Sequence, residues 1–347
     1  MNRFFLPIIA LMSILASCDK GNTELSETPS VGDVLILNNG NWGANDSNIA
    51  IYDIRTGTLT ANAFQKVNGT NLGDLGQDIL AVGDEVYIAV NGSQLVFVTD
   101  KDLKVKKTIV AEADGNRLSP RCLTKGEGKI YVTYYEGYLG EIDPSDGYSV
   151  RTVKVGSNPD GTAYADGKIY VANSGGMNYP NYDNTVSVVL ASDFTVSATI
   201  EVNTNPAKVL AGNGEVYVTS FGNYEDVPAK IQSIDVATGS VSDLPYENVS
   251  SAAVGAGKLY VLCGGYDEAW NPLPGRVFVH GEVPTLFVTD QTTFPAAYSI
   301  SATSDGYVYV GCSDYVNTGD VYVMTPSGTL YAKFDSQGMN PIAVIRY

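Results

Sequence analysis

The sequence is poor in the residues that build histidine metal centres, disulfide scaffolds and charged helices. Its 347 residues include one histidine (His280), four cysteines and only 17% charged residues. One histidine cannot supply a multi-histidine metal centre, and four cysteines are too few for a disulfide scaffold. A charged fraction below the roughly 25% of an average globular chain argues against a fold dominated by long amphipathic helices.

Basic residues are also scarce. The chain has 21 lysines and arginines against 38 acidic residues, a net charge of −17. Such a surface repels phosphate backbones, so the sequence predicts a protein that does not bind nucleic acid. Hydrophobic residues nevertheless make up 44% of the chain, which is enough to bury a sizeable core.

The N-terminus has the features of a bacterial export signal. A short positive start at Asn2-Arg3 precedes an apolar run of 12 residues from Phe4 to Leu15, which is too short for a membrane span. The following Ala16-Ser17-Cys18 resembles a lipobox, in which the cysteine is lipidated. We therefore predict a signal peptide at 1–17, lipidated Cys18 with a polar tether at 18–32, and a single membrane-anchored domain at 33–347.

One pattern recurs seven times along that domain: a turn, an apolar residue, a tyrosine and β-branched residues. Neighbouring copies are 39 to 52 residues apart, a period typical of the four-stranded blades of a β-propeller. The first copy, Asp33 to Ile36, lacks the tyrosine. We assign the six repeated tyrosines to packing between sheets, and they are Tyr87, Tyr131, Tyr170, Tyr217, Tyr260 and Tyr309.

The two ends of the domain complement each other. Asp33 to Leu37 fits the second strand of a blade, whereas Met339 to Tyr347 has the Asn-Pro start and the length of a first strand. Pairing them would close the ring and hide two sheet edges. The predicted fold is thus an all-β, seven-bladed β-propeller, closed by the C-terminal strand pairing with the N-terminal blade. A pair of β-sandwiches is the alternative, but it explains neither the period nor the offset ends.

The loops that follow the repeated strands are predicted to converge on one face of the ring. They combine aromatic rings with asparagine and glycine, a composition that suits a large, mostly neutral, partly apolar ligand. The alternative is that these rings only pack loop against loop. The predicted ligand-binding residues are Asn38, Trp42, Asn91, Tyr134, Tyr135, Asn173, Tyr179, Tyr182, Phe221, Tyr224, Tyr266, Trp270 and Tyr315, with Gln77, Arg121 and Asp160 near the axis.

No catalytic pattern stands out. His280 lies in a strand-like run without a nucleophile at a recognisable spacing, and we interpret it as structural. We expect no enzyme activity, no catalytic cofactor and no metal site. Cys122, Cys263 and Cys312 are expected to be buried free thiols, because equivalent positions in adjacent blades generally exceed the roughly 7 Å between Cα atoms that a disulfide allows.

Together, the lipobox, the polar tether and the tyrosine repeat resemble the YncE-like propeller lipoproteins of Bacteroidetes. The segment Leu35 to Gly43 is similar to the Leu-Asn-Glu-Gly-Asn-(Trp/Phe)-Gly start of that group, with Asn39 in place of the glutamate. The resemblance implies an outer-membrane, surface-exposed location. Its cobalamin-binding BtuG type implies a corrinoid ligand and delivery of that ligand to a TonB-dependent transporter.

Two functions therefore stay open. One is a surface lipoprotein that captures cobalamin; the other is a propeller that binds or cleaves glycans in a polysaccharide utilisation system, since aromatic rings also stack on sugars. A purely structural adhesion module is a third, weaker interpretation. For the predicted site, we expect Trp42→Ala or Trp270→Ala to weaken ligand binding by at least about 1 kcal/mol.

Overall fold

A computed structural model describes residues 33–267 and 271–346 of the chain. The predicted signal peptide, Cys18, the tether and Trp270 lie outside the described residues. Across the described part of the chain, the one α-helix, α1 (Ala63–Asn68), is six residues long. None of the helices in residues 33–267 and 271–346 is long and apolar enough to cross a membrane.

Short strands make up most of the described chain. The first fifteen are β1 (Asp33–Asn38), β2 (Asn48–Asp53), β3 (Thr58–Thr60), β4 (Gly76–Val82), β5 (Glu85–Val90), β6 (Leu95–Asp100), β7 (Val105–Ile109), β8 (Glu112–Ala113), β9 (Asn116–Arg117), β10 (Pro120–Gly126), β11 (Lys129–Tyr134), β12 (Tyr138–Asp143), β13 (Ser149–Lys154), β14 (Pro159–Ala165) and β15 (Lys168–Asn173). The others are β16 (Thr185–Leu190), β17 (Thr195–Glu201), β18 (Pro206–Gly212), β19 (Glu215–Ser220), β20 (Lys230–Asp235), β21 (Val241–Asp243), β22 (Val249–Gly255), β23 (Lys258–Cys263), β24 (Arg276–Val279), β25 (Thr285–Leu286), β26 (Ala297–Ala302), β27 (Val308–Cys312), β28 (Asp320–Met324), β29 (Leu330–Asp335) and β30 (Pro341–Arg346).

These strands form seven four-stranded antiparallel sheets, which confirms the predicted seven-bladed propeller. Blade one has the order β3-β2-β1-β30, and the other six are consecutive meanders that begin at β4, β10, β14, β18, β22 and β26. The short hairpin β8-β9 lies in the connection between blades two and three.

The C-terminal strand closes the ring as predicted. Residues 34–37 of β1 pair antiparallel with residues 343–346 of β30. Beside this pairing, the Asn340 side chain donates to the carbonyl of Gly40 at 3.1 Å, and Arg346 Nη1 donates to Asp305 Oδ2 of blade seven at 2.7 Å. Both sheet edges that an open ring would expose are thereby paired or covered.

The repeated tyrosines are core residues. All six are at most 2% exposed. They pack with β-branched residues from the same and neighbouring blades, as Tyr170 does with Val186, Val188 and Val209. This confirms their assignment to packing, and burial of rings of this size accounts for much of the apolar contribution to stability.

Three cysteines lie among the described residues, and all three are free. Cys263 and Cys312 are buried, and burial raises their pKa values to about 11 and about 12. The prediction of buried thiols is confirmed for these two. Cys122 differs, because it is only half-buried and lines the central channel.

Each first strand contains a register shift near its start. In blade two, Gly76 pairs with Val90 but Asp78 pairs with Ala89, which leaves Gln77 in a β-bulge. A bulge re-aims the side chains of the residues it contains. Equivalent shifts occur in all seven blades, and the first residues within them are Gln77, Arg121, Asp160, Ala207, Ser250, Tyr298 and Ile342.

Candidate functional site

The variable loops share one face because a backbone hydrogen bond is repeated around the ring. In each blade, the residue that follows the second strand donates its N–H to the carbonyl of the residue before the first strand, at 2.8 to 3.2 Å. The donor–acceptor pairs are Asn39–Asn340, Asn91–Leu75, Tyr135–Ser119, Ser174–Asn158, Phe221–Asn205, Gly264–Asn248 and Ser313–Ala296.

Six aromatic side chains from four consecutive loops form what we call the aromatic rim: Tyr179, Tyr182, Phe221, Tyr224, Tyr266 and Tyr315. The Tyr182 ring centroid lies 6.0 Å from those of Tyr179 and Tyr224, both edge-to-face, and the Phe221 and Tyr224 centroids are 6.5 Å apart. Tyr179, Tyr224, Tyr266 and Tyr315 are about half exposed or more. These rings therefore present apolar area to solvent while holding one another in place.

Tyr315 connects the rim to the channel. Burial, and the neighbouring phenols of Tyr298 and Tyr266, raise the pKa of Tyr315. Its ring centroid lies 5.7 Å from that of Tyr298, which projects from the bulge of β26. The rim is thus continuous with a side chain of the channel wall.

An ion pair lies at the channel mouth. Arg121 donates from Nε to Asp160 Oδ1 at 3.1 Å and from Nη2 to Oδ2 at 2.9 Å. Its guanidinium carbon also lies 5.0 Å from the Tyr135 ring centroid, a cation–π distance. Burial alone would lower the pKa of Arg121, but the Asp160 carboxylate outweighs it and raises that pKa.

The mouth opens into a cavity of about 460 Å³ along the axis. All seven of the first bulge residues line it, so the bulges direct side chains from every blade into the channel. Of these, sequence reasoning identified Gln77, Arg121 and Asp160 but missed Tyr298. It also missed Asp78 and Lys208, which line the same cavity next to bulge residues. The available signal was position in the strand: Tyr298 is the second residue of its first strand, and Asp78 and Lys208 are the third residues of theirs.

Three predicted ligand-binding residues are buried in the blades instead. Tyr134 is 1% exposed and packs in the core between blades two and three. Asn38 and Asn173 are also buried. The Asn173 amide donates to Thr185 Oγ1 at 2.9 Å and to Ser187 Oγ at 3.0 Å, while Asn38 donates to Asn48 Oδ1 at 3.0 Å. These positions end the second strands, where inward packing continues up to the last residue, so the three side chains are buried in the blades and are not exposed on the loop face.

Many loop amides are likewise engaged within their own loops. Asn317 donates to Asp314 at 2.7 Å, and Asn223 donates to Asp226 at 2.7 Å. Asn41 and Asn271 make comparable bonds to Asp46 and Asp267. The amides therefore shape the loops, while the exposed aromatic rings stay accessible on the loop face.

The remaining predicted residues lie away from the rim or outside the described residues. Asn91 donates to the carbonyl of Pro120 at 3.2 Å and so links blades two and three. Trp42 is 86% exposed on loop one, and among the described residues no ring contact joins it to the rim. Trp270 belongs to the undescribed residues 268–270.

Comparison with solved structures supports the fold. A quinonprotein alcohol dehydrogenase-like protein from Bacteroides thetaiotaomicron is 14% identical, with a TM-score of 0.65 over 90% of this chain and 77% of that chain. A streptogramin B lyase is 13% identical, with a TM-score of 0.57 over 76% and 84%. Hydrazine synthase from Kuenenia stuttgartiensis is 15% identical, with a TM-score of 0.56 over 70% and 74%.

At these identities the likeness concerns the fold alone. No curated protein matches the sequence. A family model does match, over residues 32–268, which include five of the six repeated tyrosines, the ion pair and five of the six rim residues. The chain belongs to the family described as a domain of unknown function, DUF5074.

Proposed function

We propose that this protein is a non-catalytic binding propeller that holds cobalamin or a related corrinoid on its loop face. The observation that carries the proposal is the aromatic rim around a polar channel mouth. Rings fixed edge-to-face offer flat apolar area at low entropy cost. A corrinoid is a broad ring with an apolar edge and projecting carboxamides, so it can lie on such a rim while polar groups engage the mouth.

The surroundings of the one histidine support binding rather than catalysis. His280 Nδ1 lies 3.1 Å from the Tyr246 hydroxyl, and its ring packs edge-on against Tyr217. Its backbone N–H donates to Leu259, at the start of β23, whereas the loop face lies at the other end of that strand. The histidine is therefore a packing residue far from the channel mouth.

The proposed biological role is capture at the outer-membrane surface. Acyl chains on Cys18 would anchor the protein, and the propeller would pass its ligand to a TonB-dependent transporter. The acidic composition suits such a role, because a net charge of −17 keeps a lipid-anchored domain from adhering to anionic lipid.

A direct binding measurement tests the ligand. Purified protein would be mixed with cyanocobalamin and passed through a desalting column, followed by isothermal titration calorimetry. We expect the red colour to co-elute with the protein at a stoichiometry of one. A colourless protein peak at micromolar concentration would refute the corrinoid proposal.

A second candidate is glycan binding, with cleavage as its catalytic form. A carboxylate beside the rim favours glycan binding. Glu225 is exposed and accepts a hydrogen bond from the Tyr179 hydroxyl at 3.2 Å. Exposed tyrosines beside carboxylates can stack on sugar rings and accept bonds from sugar hydroxyls. An oligosaccharide array, run beside the cyanocobalamin titration, separates the two functions.

A further inference from the structure

The central channel contains two successive rings of side chains below the aromatic rim. Because every first strand runs inward from the loop face, the bulge residues form the outer ring and the residues that follow them form the inner ring. Charged groups occur in both. The outer ring holds the Arg121–Asp160 pair, and the inner ring holds Asp78 and Lys208.

Lys208 is short of hydrogen-bond acceptors. Its ammonium has three N–H donors, and among the described residues its one acceptor is the carbonyl of Ile300, at 3.3 Å. Burial lowers its pKa, while the negative charge of Asp78 acts in the opposite direction. Lys208 is half-buried and lines the cavity, so an acceptor that enters the cavity can bond its remaining N–H donors.

Asp78 supplies the complementary acceptor. Its Oδ2 accepts the Leu123 N–H at 2.8 Å and the Cys122 thiol at 3.3 Å, and its Oδ1 accepts the Ile79 N–H at 2.9 Å. These bonds hold the carboxyl group against the wall. Burial raises the pKa of Asp78, while the three hydrogen bonds and the positive charge of Lys208 act in the opposite direction. An ionised carboxylate has about four lone-pair sites, so it can accept a further bond from the cavity.

The formal charges of the residues that line the channel sum to zero. Arg121 balances Asp160 through their ion pair, and Lys208 balances Asp78 across the cavity. A net anionic group would leave an uncompensated negative charge in the channel, and its desolvation would cost free energy. A neutral group with a carbonyl acceptor and an N–H donor would satisfy Lys208 and Asp78 together.

We propose that the channel is a subsite for a primary carboxamide, which enters from the rim and bonds Lys208 through its oxygen and Asp78 through its nitrogen. This deepens the proposed function, since it assigns one carboxamide arm of the rim ligand to the channel. The subsite itself is defined by the channel residues and can be tested without any corrinoid.

A matched pair of small molecules tests the subsite directly. Full-length protein labelled with ¹³C at lysine would be titrated at pH 7 with propionamide and with propionate, which have the same shape and differ in charge. The Lys208 Cε signal is assigned by its loss in Lys208→Arg. We expect a saturable shift with propionamide and at least fivefold weaker binding of propionate.

The Asp78→Asn variant should reverse that preference. It keeps an oxygen that can accept the Leu123 N–H but leaves Lys208 without its counter-charge, so propionate should then bind more tightly than propionamide. A wild-type protein that prefers propionate, or that shows no saturable shift with either molecule, overturns the proposal. The wild-type comparison decides even if the variant does not fold.

Cyanocobalamin separates the subsite from the proposed function. If the vitamin binds, Lys208→Met should weaken it at least tenfold. The control is Lys168→Met, because Lys168 also donates to a backbone carbonyl, that of Val236 at 3.1 Å, but does not line the channel cavity. Equal losses in both variants would refute the subsite. A positive propionamide titration without cyanocobalamin binding would refute the corrinoid alone.

Discussion

Arg121 and Asp160 project from the bulges of two neighbouring first strands and meet as a doubly hydrogen-bonded ion pair at the mouth of the central channel. The pair therefore joins blades three and four at the axis, where the backbone strands are closest. Because Tyr135 lies against the guanidinium, the pair also fixes the start of loop three. The same ion pair therefore holds two blades together and positions a loop of the proposed ligand face.

The pair should stabilise the ring measurably. Its side chains are 22% and 25% exposed, between the exposed pairs that contribute about 0–1 kcal/mol and the buried pairs whose disruption costs about 3–5 kcal/mol. We expect a coupling energy of about 1–2 kcal/mol from a double-mutant cycle of Arg121→Ala and Asp160→Ala, measured by urea unfolding. Additive single-variant losses would show that the two residues act independently.

The aromatic rim gives a prediction for binding. Tyr224 contacts both Tyr182 and Phe221, so Tyr224→Ala removes one ring and loosens two others. We expect the affinity for cyanocobalamin to fall by about 1–2 kcal/mol, the scale of an aromatic hot spot. The control is Tyr331→Ala, a tyrosine that is 39% exposed on the outer strand β29, which should leave the affinity unchanged. Equal effects would place the ligand elsewhere.

Much of the fold was predictable because its signals are local and periodic. The Tyr repeat marks the second strand of every later blade, and the strand predicted from Asp33 to Leu37 lies within β1 (Asp33–Asn38). Ring closure followed from the offset ends of the domain. These features depend on alternation and spacing, which a single sequence displays directly.

The site was less predictable because its geometry depends on backbone irregularities. A bulge changes which of two neighbouring residues faces the axis, and alternation alone cannot reveal it. Asp78 and Lys208 were missed for this reason. Tyr134 and Tyr135 are adjacent in sequence, yet one is in the core and the other lies against Arg121. Strand β11 ends at Tyr134, so Tyr135 is already part of the loop.

The residue before each first strand offers a test of backbone strain. Six of these seven residues have a left-handed conformation with φ between 44° and 60°, including Ala296 at 49°. An L-residue pays about 1–2 kcal/mol there, whereas glycine does not. We expect Ala296→Gly to raise the free energy of unfolding by about 0.5–1 kcal/mol in urea titrations.

The neighbouring residue provides the control for that substitution. Ala297 begins β26, where glycine has no conformational advantage and weakens the strand. Ala297→Gly should therefore lower the free energy of unfolding by about 0.5–1 kcal/mol. If both variants are destabilised, the left-handed conformation of residue 296 is not a source of strain.

The hydrogen bonds that the Asp314 carboxylate accepts should stabilise loop seven except in strong acid. The Asn317 N–H donates to Asp314 at 2.7 Å, as does the Asn317 side chain, and the Val316 N–H donates at 2.9 Å. These bonds, that from the Asn317 backbone foremost, lower the pKa of Asp314 from 3.8 to about 2. Because the folded-state pKa lies below the unfolded value, the contribution is complete above the unfolded pKa and disappears as the pH falls through the folded one.

The titration of Asp314 can be followed by ¹³C NMR of its carboxyl carbon. We expect a midpoint near pH 2 in the wild type and a midpoint closer to 3.8 in Asn317→Ala, which removes the side-chain donor but leaves the backbone donors. The difference in thermal stability between wild type and Asp314→Ala should stay constant above about pH 5, shrink progressively below it and be mostly lost at about pH 2. A wild-type midpoint near 3.8 would mean that the loop is not braced by this carboxylate, and the orientation of Tyr315 beside it would need another cause.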